Sequence, residues 1–414
     1  MSDPTIVLSV NAGSSSLKLA LFRFGPTHST TTAATTGEAP TELWRWTGEG
    51  LDLDGGFAAL AAADQPEPDA VGHRVVHGGT RFTAPVVIDA DVLAGLVSLI
   101  SLAPLHEPAA IAGIEAITAA RPAVAQVACF DTAFHRTLPV EAARLPLPRR
   151  FWDAGIRRYG FHGLSYEFVV DHVGADRLGR AVIAHLGNGA SLCAVVDGQS
   201  VDTTMGFTPA GGIVMGTRSG DLDPGVVLHL LNRDLLVGDS GDTDRVAAVD
   251  RLINHESGLL GLCGTTSDMR DLLAARAAGD RDAALAIAVF TRTVRKQIGA
   301  YAALLGGLDT VVFTGGIGEG SAVVRAEVAE GLGFLGVTID PTRNTAVGRP
   351  IHAADERISP DGPSVEVLVV ATDEDQMIAR HTARLIGATA VRSADDEHTI
   401  ADVAPNMVNE RVDP

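Results

Sequence analysis

A strand, a turn of small polar residues and a second strand occur twice in this chain. The first copy is "TIVLSVNAGSSSLKLALFRF", starting at Thr5, and the second is "AVIAHLGNGASLCAVV", starting at Ala181. Set on one another, Ser16-Leu17 recur as Ser191-Leu192, an offset of 175 residues in a chain of 414. Two hairpin starts so spaced point to a duplicated domain. The length suits two or three domains of about 150 residues each. The first turn admits two readings. Asn, Gly and Ser build a tight hairpin. They also let backbone N–H groups close on an anion that Lys18 would neutralise. "NAGSSSLK" lacks a second Gly before its Lys, so it is not the GxxxxGK[ST] loop.

Elsewhere strands and helices alternate, as in an α/β protein. Strands are expected at 5–10, 17–24, 69–76 and 125–131, with helices at about 90–100 and 108–120. The second half ends in two strand–loop–helix units, "LDTVVFTGGIGEGSAVVRAEVAEGL" and "VEVLVVATDEDQMIARHTARLI". Loops at the carboxyl ends of such strands are the usual ligand sites. Residues 25–50 read as a surface excursion, and the stretch from about Gly387 to Pro414 as a tail without periodicity.

Composition narrows the function. Hydrophobic residues are 46% of the chain, enough for a sizeable core, and the 45 glycines cluster in short loops after apolar runs. A net charge of −19 argues against general nucleic-acid binding, which needs a basic face. A small anion is still possible, because a few local arginines overcome the global field. Cys129, Cys193 and Cys263 form no CxxC pair, so neither a zinc ribbon nor a disulfide framework is expected. No basic segment followed by an apolar run opens the chain. The longest apolar stretch, "DAALAIAVFTRTVRKQIGAYAALLGGL", is cut by Arg292, Arg295 and Lys296 and reads as an amphipathic helix. A soluble, cytoplasmic protein is expected.

Several stretches are dense in chemistry. "GHRVVHGG" holds Arg74 between His73 and His77, "CFDTAFH" puts Asp131 just past a strand, and "YGFHG" offers His162. "MGTRSGDLDP" sets Arg218 among glycines, "TTSDMRD" brings Asp268 and Arg270, "TGGIGEG" is a glycine loop opening a helix, and "TDEDQM" groups three acids at a strand end. Singly, each has an ordinary structural reading: a packed His, a capped carbonyl, an N-cap, a tight turn. Jointly, glycine loops, two separated arginines, a His and isolated acids for a hydrated metal are the parts of phosphoryl transfer.

Taken with "APLHEP", "HLGNGAS", "DTTMGFTP" and "SGLLG", these stretches follow one family's order from residue 6 to about residue 386. The chain resembles the acetokinase family. The resemblance implies the fold of sugar kinases, actin and heat-shock ATPases: α/β, two duplicated actin-like ATPase domains with a central nucleotide cleft. It implies an N-terminal domain at 1–135, completed by a C-terminal helix at about 376–390. A nucleotide-binding domain would fill 136–375, and 391–414 would be the tail. It also implies a homodimer.

The family's roles carry over where motifs match. Asn11 and Glu374 would lie at the metal, and Lys18 would help bind ATP. Arg74 and Arg218 would hold the carboxylate and the moving phosphoryl group. Asp131 would position Mg²⁺ or Arg218, and His162 would donate to the transition state. His185, Leu186, Gly187, Asn188 and Gly189 match one nucleotide-binding stretch, and Asp268, Met269 and Arg270 a second. Gly316, Ile317, Gly318, Glu319 and Gly320 match a third. Val76, Leu105, Phe161 and Pro209 match a small apolar pocket for the acetate methyl. The implied reaction is reversible Mg²⁺-dependent transfer from ATP to acetate, giving acetyl phosphate and ADP, with Mn²⁺ able to replace Mg²⁺. The alternative is a propionate or other short-chain acyl kinase. A sugar or glycerol kinase would need polar groups where the matched pocket is apolar. Three places depart from the family: Glu107 and Gly320 each stand where Asn is common, and Asp373-Glu374-Asp375 where Asn-Glu-Glu is. Glu107 is expected to add a negative charge beside the carboxylate pocket.

Overall fold

The computed structural model describes residues 5–13, 16–25, 40–50, 52–103, 106–232, 244–347, 355–362 and 364–401, apart from the side chains of Ser16, Glu49 and 388–401. Among the described residues, twelve strands form two six-stranded sheets. The first holds β1 (Thr5–Ala12), β2 (Ser16–Phe24), β3 (Thr41–Glu49), β4 (Ala70–Val75), β5 (Val86–Val87) and β6 (Ala125–Phe130). The second holds β7 (Ala181–Leu186), β8 (Ala190–Val196), β9 (Gln199–Thr203), β10 (Thr310–Thr314), β11 (Glu356–Arg357) and β12 (Glu366–Val369).

The strand order is β3-β2-β1-β4-β6-β5 in the first sheet and β9-β8-β7-β10-β12-β11 in the second. Directions match strand for strand. Each sheet opens with two antiparallel pairings, continues with two parallel ones and closes with an antiparallel edge. Even the register shift between the second and third strands recurs, at Leu21/Phe22 and at Ala194/Val195. The duplication expected from the 175-residue offset is therefore a duplication of topology.

Both sheets are covered on both faces. Helix Glu107–Ala120 packs outside the first sheet through Ile111, Ile114 and Ile117, and helix Arg281–Leu305 outside the second through Ile287, Phe290, Val294 and Ile298. Two helices fill the space between the sheets: Gly163–Val173 and the terminal helix Glu374–Ala401. Their Leu164, Tyr166, Val169, Met377 and Ile378 share one apolar cluster with Val127 and Cys129 of β6 and with Ile183, Cys193, Val312 and Leu368 of the second sheet. Burying each large side chain contributes about 1.5–3 kcal/mol. The terminal helix thus returns to the first sheet. At Gly72 of β4 a Cβ would collide with Thr382 and Ile378, so only glycine lets this helix lie so close.

Two expectations change. Residues 41–49, assigned to a surface excursion, form the edge strand β3; its Trp44 and Trp46 pack on the β1–β2 core. Residues 26–39 of that excursion lie outside the described residues. The terminal helix runs on to Ala401, past residue 390, and 402–414 lie outside the described residues. The acid excess has a local use as well: Asp52, Asp89, Asp223, Asp244, Asp268, Asp280 and Asp340 cap helix N-termini. No helix among the described residues is long and apolar enough to cross a membrane.

"GGIGEG" is not a loop before a helix but a helix itself, Gly315–Gly320. Glycine is a poor helix former, by about 1 kcal/mol per residue, so this helix needs outside ties. At its start, Glu319 Oε1 accepts from Gly315 N at 2.9 Å and from Thr372 N at 3.2 Å. At its end, buried Arg325 donates from Nη1 to the carbonyls of Gly318 (2.8 Å) and Glu319 (2.7 Å). It also holds Asn344 Oδ1 and O at 2.7 and 2.9 Å. Arg325→Ala is therefore expected to cost on the order of 3 kcal/mol, since it strands several buried acceptors of one charged donor. Urea titration checks this, and a midpoint within error of the parent would refute it.

Candidate active site

Period-two alternation decides which side chains reach the space between the sheets. In β1, Ile6, Leu8, Val10 and Ala12 face the outer core, so Asn11 is the last inward residue. Val71 and Val75 of β4 face outward and Arg74 inward; Ala128 and Phe130 of β6 face outward, and Asp131 follows on the inner side. In β7, Val182, Ala184 and Leu186 face outward, which turns His185 inward, and its register partner Ser191 shares that face. The carboxyl ends of the parallel strands thereby converge on one cleft.

Arg74 organises the first-domain side. Its Nε donates to both Asp131 oxygens at 3.1 Å, its Nη2 to Asp131 Oδ2 at 2.5 Å and its Nη1 to Asn11 Oδ1 at 3.4 Å. Asn11 Nδ2 donates to Glu374 Oε2 at 3.3 Å, and that oxygen lies 3.9 Å from Arg74 Nε. Lys18 faces the same way, paired with Asn11 across the hairpin. Burial pushes the Asp131 carboxyl up, to about 6, against the pull of Arg74. Burial also raises Glu374, but Arg74, His185, Lys18 and the Asn11 bond outweigh it and hold the carboxyl below its usual range. The Glu374 carboxyl is therefore ionised at pH 7.

The second-domain side is cationic at one point and otherwise neutral. His162 has a left-handed backbone, φ 60°, at the start of helix Gly163–Val173. Such strain costs about 1 kcal/mol and gathers at working sites. Gly163 N donates to the Asp131 carbonyl at 2.8 Å, which ties this turn to the first domain. His162 stacks on His185, with centroids 4.2 Å apart. His162 Nδ1 meets Ser191 Oγ at 2.9 Å, and Ser191 Oγ in turn meets Tyr166 OH. Burial first, then His185, Arg74 and Arg218, push His162 well below its usual range, so the ring is neutral.

The Arg218 loop is laced down by its backbone. Leu259 N, Leu260 N and Ser257 N donate to the carbonyls of Met215, Gly216 and Thr217, and Gly216 N to Asn188 O. Arg218 Nη1 reaches Pro209 O at 3.3 Å, and Nη2 meets His106 Nε2 of the first domain at 3.4 Å. Burial and then Arg74 lower the Arg218 guanidinium. Gly189 marks the gap between these groups: a Cβ there would lie 3.4 Å from His162 Nε2 and 3.5 Å from Arg218 Nη1.

Val76 and Phe161 are buried in one apolar cluster with Ala103, Ile213 and Met215. Leu105 lies outside the described residues. The glycine helix Gly315–Gly320 abuts the end of β7, where a Cβ on Gly315 would press on the Leu186 backbone. Thus the 316–320 and 185–189 stretches are brought together. Asp268 and Arg270 pair with each other at 2.6 Å at the exposed start of helix Met269–Ala277, while Met269 enters the core. Nothing among the described residues joins that pair to the charged cluster.

Two residues make contacts that the sequence reading did not name. Asp131, expected to position Mg²⁺ or Arg218, is bonded to Arg74. Glu107 is not an exposed charge: it is fully buried, Oε1 accepts from His77 N at 2.9 Å, and Oε2 has no partner among the described residues. Burial raises its carboxyl to about 8; Asp131 adds to the rise, and the His77 bond and Arg74 oppose it. His106, Ser191 and Tyr166 had no assigned role. His106 alone could have been suspected, from its place in "APLHEP".

Two copies of one sheet around a cleft that gathers two arginines, a neutral imidazole and isolated carboxylates define an ATPase-like fold built for phosphoryl transfer. The sequence profile of the Acetokinase family matches residues 58–380. An acetate kinase of Methylocella silvestris is 45% identical, over 93% of this chain and 98% of that protein. One of Streptomyces avermitilis is 44% identical, over 93% and 98%. The solved acetate kinase of Porphyromonas gingivalis is 35% identical with a TM-score of 0.76, over 92% of this chain and all of that one. A propionate kinase from Francisella tularensis is also 35% identical, with a TM-score of 0.77, over 92% and 99%. This chain belongs to the acetokinase family, and it is a kinase.

The raised Glu107 carboxyl has a consequence for stability. Between its usual 4.5 and about 8 the folded protein keeps a proton that the unfolded chain has released, so stability falls as pH rises through that window. Glu107→Gln keeps the shape and cannot ionise. Its melting temperature relative to the parent is expected to climb from pH 5 to pH 8 and then level off. Parallel melting curves over that range would mean that Glu107 is already ionised at pH 5 in the folded state.

Proposed function

We propose that this chain is an acetate kinase that moves the γ-phosphoryl group of ATP onto acetate, in line and reversibly, giving acetyl phosphate and ADP. One observation carries the reading. Arg74 from the first domain, and Arg218 and neutral His162 from the second, face one gap beside a buried apolar wall containing Val76 and Phe161. Acetate is ionised at neutral pH, so no strong general base is needed. The obstacle is repulsion between carboxylate and γ-phosphate. Two fixed guanidinium groups screen it and match the charge on the equatorial oxygens of the transition state. With Tyr166 donating to Ser191 and Ser191 to His162 Nδ1, the imidazole proton sits on Nε2 and is donated toward the gap.

Mg²⁺ fits the donor set, and Mn²⁺ would fit it too. Glu374 is an ionised carboxylate, Asn11 lies beside it, and hydrated Mg²⁺ takes only one or two carboxylates. Asp131 has both oxygens occupied by Arg74, so its part is to orient that guanidinium. Bound there, the metal would neutralise phosphate charge. Lys18 and the 185–189 and 316–320 stretches would take the phosphates and nucleoside of ATP, with 268–270 completing the nucleotide site. A homodimer and a cytoplasmic location belong to the same reading. The helix Pro224–Leu231 has no buried residue and exposes Val226 and Leu228, a face suited to a second copy. The charge of −19 speaks against nucleic acid as a partner.

The alternative, a propionate kinase, is separated by size. Each extra methylene in a closed apolar pocket shifts discrimination by about 1–3 kcal/mol. Trapping acyl phosphate as the hydroxamate, with acetate, propionate, butyrate and glycerol in turn, is expected to give acetate the highest kcat/KM, propionate a raised KM, and butyrate and glycerol almost nothing. Preference for propionate or butyrate would overturn the acetate assignment.

A second test probes the gap. Gly189→Ala adds a methyl at ordinary contact distance from His162 Nε2 and Arg218 Nη1, so the fold should be unaffected. The methyl occupies the space meant for the transferred group. Turnover is expected to fall at least about a hundredfold, as when one preorganised donor is lost, with an unchanged melting temperature. Near-normal turnover would place the reaction elsewhere.

A further inference from the structure

Arg45 of β3 reaches the start of the terminal helix. Its Nη1 donates to Asp375 Oδ2 at 2.5 Å, and its Nη2 to Asp373 Oδ1 and Oδ2 at 3.3 and 3.2 Å. Nη2 and Nε also donate to Glu42 Oε2, at 2.7 and 3.2 Å. Asp373 and Asp375 are the two neighbours of Glu374, so one guanidinium grips the chain on both sides of the site acid. Asp375 is buried, and its Oδ1 has no partner among the described residues. Arg45 is its counter-charge.

Sheet register fixes where this grip acts. Arg45 pairs with Ala20, and Ala20 with Ser9, two residues before Asn11 on β1. Ala20 belongs to the inner cluster with Ala379 of the terminal helix, so Arg45 stands on the face that carries Lys18 and Asn11. The strand ladder therefore sets the distance between Arg45 and Asn11, and the two ion pairs set that between Arg45 and Glu374. The Asn11–Glu374 contact at 3.3 Å closes the loop.

We propose that Arg45 is a positioning residue: by clamping Asp373 and Asp375 to β3 it holds the Glu374 carboxylate against Asn11, where a divalent cation is bound. The inference rests on reading Glu374 as the metal-associated acid. It also predicts the sign of an otherwise ambiguous effect. As a mere nearby cation, Arg45 would repel the metal, and its removal would tighten binding. As a clamp, its removal loosens the ligand and weakens binding, in the range of about 10–100-fold seen for partners behind a metal ligand.

The test is Mn²⁺ binding to the full chain, followed by electron paramagnetic resonance with and without ADP. Arg45→Ala is expected to weaken Mn²⁺ about tenfold. Arg45→Lys keeps the charge but loses the two-sided fork, and should weaken it by a smaller factor. In steady state the Mg²⁺ requirement of Arg45→Ala should rise while kcat at saturating Mg²⁺ stays within about twofold, the pattern of a lost binding contribution. Glu374→Gln is the control for the underlying reading. If it weakens Mn²⁺ while Arg45→Ala leaves binding unchanged or tightens it, Arg45 is no clamp and only this inference falls. If Glu374→Gln leaves binding unchanged, the reading of Glu374 falls and takes the inference with it. Should Arg45→Ala not fold, Arg45→Lys decides alone: unchanged affinity overturns the proposal.

Discussion

The contact between Arg74 and Asp131 is what the rest of the site is arranged around. Asp131 is buried and Arg74 is partly so, and an unpaired charge in such a place would cost several kcal/mol. Asp131 answers with two oxygens on Nε and Nη2. Nη1 turns to Asn11, so a guanidinium on β4 is locked to the ends of β1 and β6 at once. A fixed cation does not reorganise when charge moves nearby, and that is why it can stabilise a transition state more than bulk water could. The pair also joins the domains, because the carbonyl of Asp131 receives Gly163 N and so sets the turn that carries His162.

Duplication supplied two equal frames, and the halves have diverged in what they carry at equivalent places. The inward ends of β1, β4 and β6 bear Asn11, Arg74 and Asp131, whereas β7 and β10 end inward in His185 and Thr314, followed by glycines. A tightly charged end suits a carboxylate and a moving phosphoryl group. A glycine-lined end lets backbone approach a larger ligand, as phosphate-binding turns do. The glycine helix at 315–320 is intrinsically poor and stands through Glu319 and Arg325. Glu319, matched to nucleotide binding from the sequence, thus spends its carboxylate on Gly315 and Thr372, binding the ends of β10 and β12 together.

Much of this was legible in the chain because period-two strands and short motifs are local. The hairpins, the parallel strands and the residues Asn11, Arg74, Asp131, His162 and Arg218 follow from stretches of eight to ten residues and from their resemblance to one family. Three features were not legible, each because it depends on distant partners. β3 was hidden by a composition that reads as surface; its strand character comes from pairing with β2. Arg45 gains its role only from Asp373 and Asp375, more than 300 residues away. Glu107 looks like an added charge in "APLHEP", and only the depth of its burial raises its carboxyl and favours the neutral form.

The protonation states make sense of how so acidic a protein attracts anions. The cleft holds the guanidinium groups of Arg74 and Arg218 with Lys18 beside them, facing the carboxyls of Asp131 and Glu374. His106, lowered to about 3, and His162 and His185, also lowered, are neutral. Burial drives each of these shifts, and for His162 and His106 the two arginines add to it. Neutral imidazoles add no further positive charge beside the two guanidinium groups that face one gap. Glu107 belongs to the same balance. Were it ionised, it would add a negative charge behind His77, within the field of Asp131 and Arg74. Its burial behind His77 therefore favours the uncharged carboxyl, and does so only while the medium stays below the pH at which Glu107 gives up its proton.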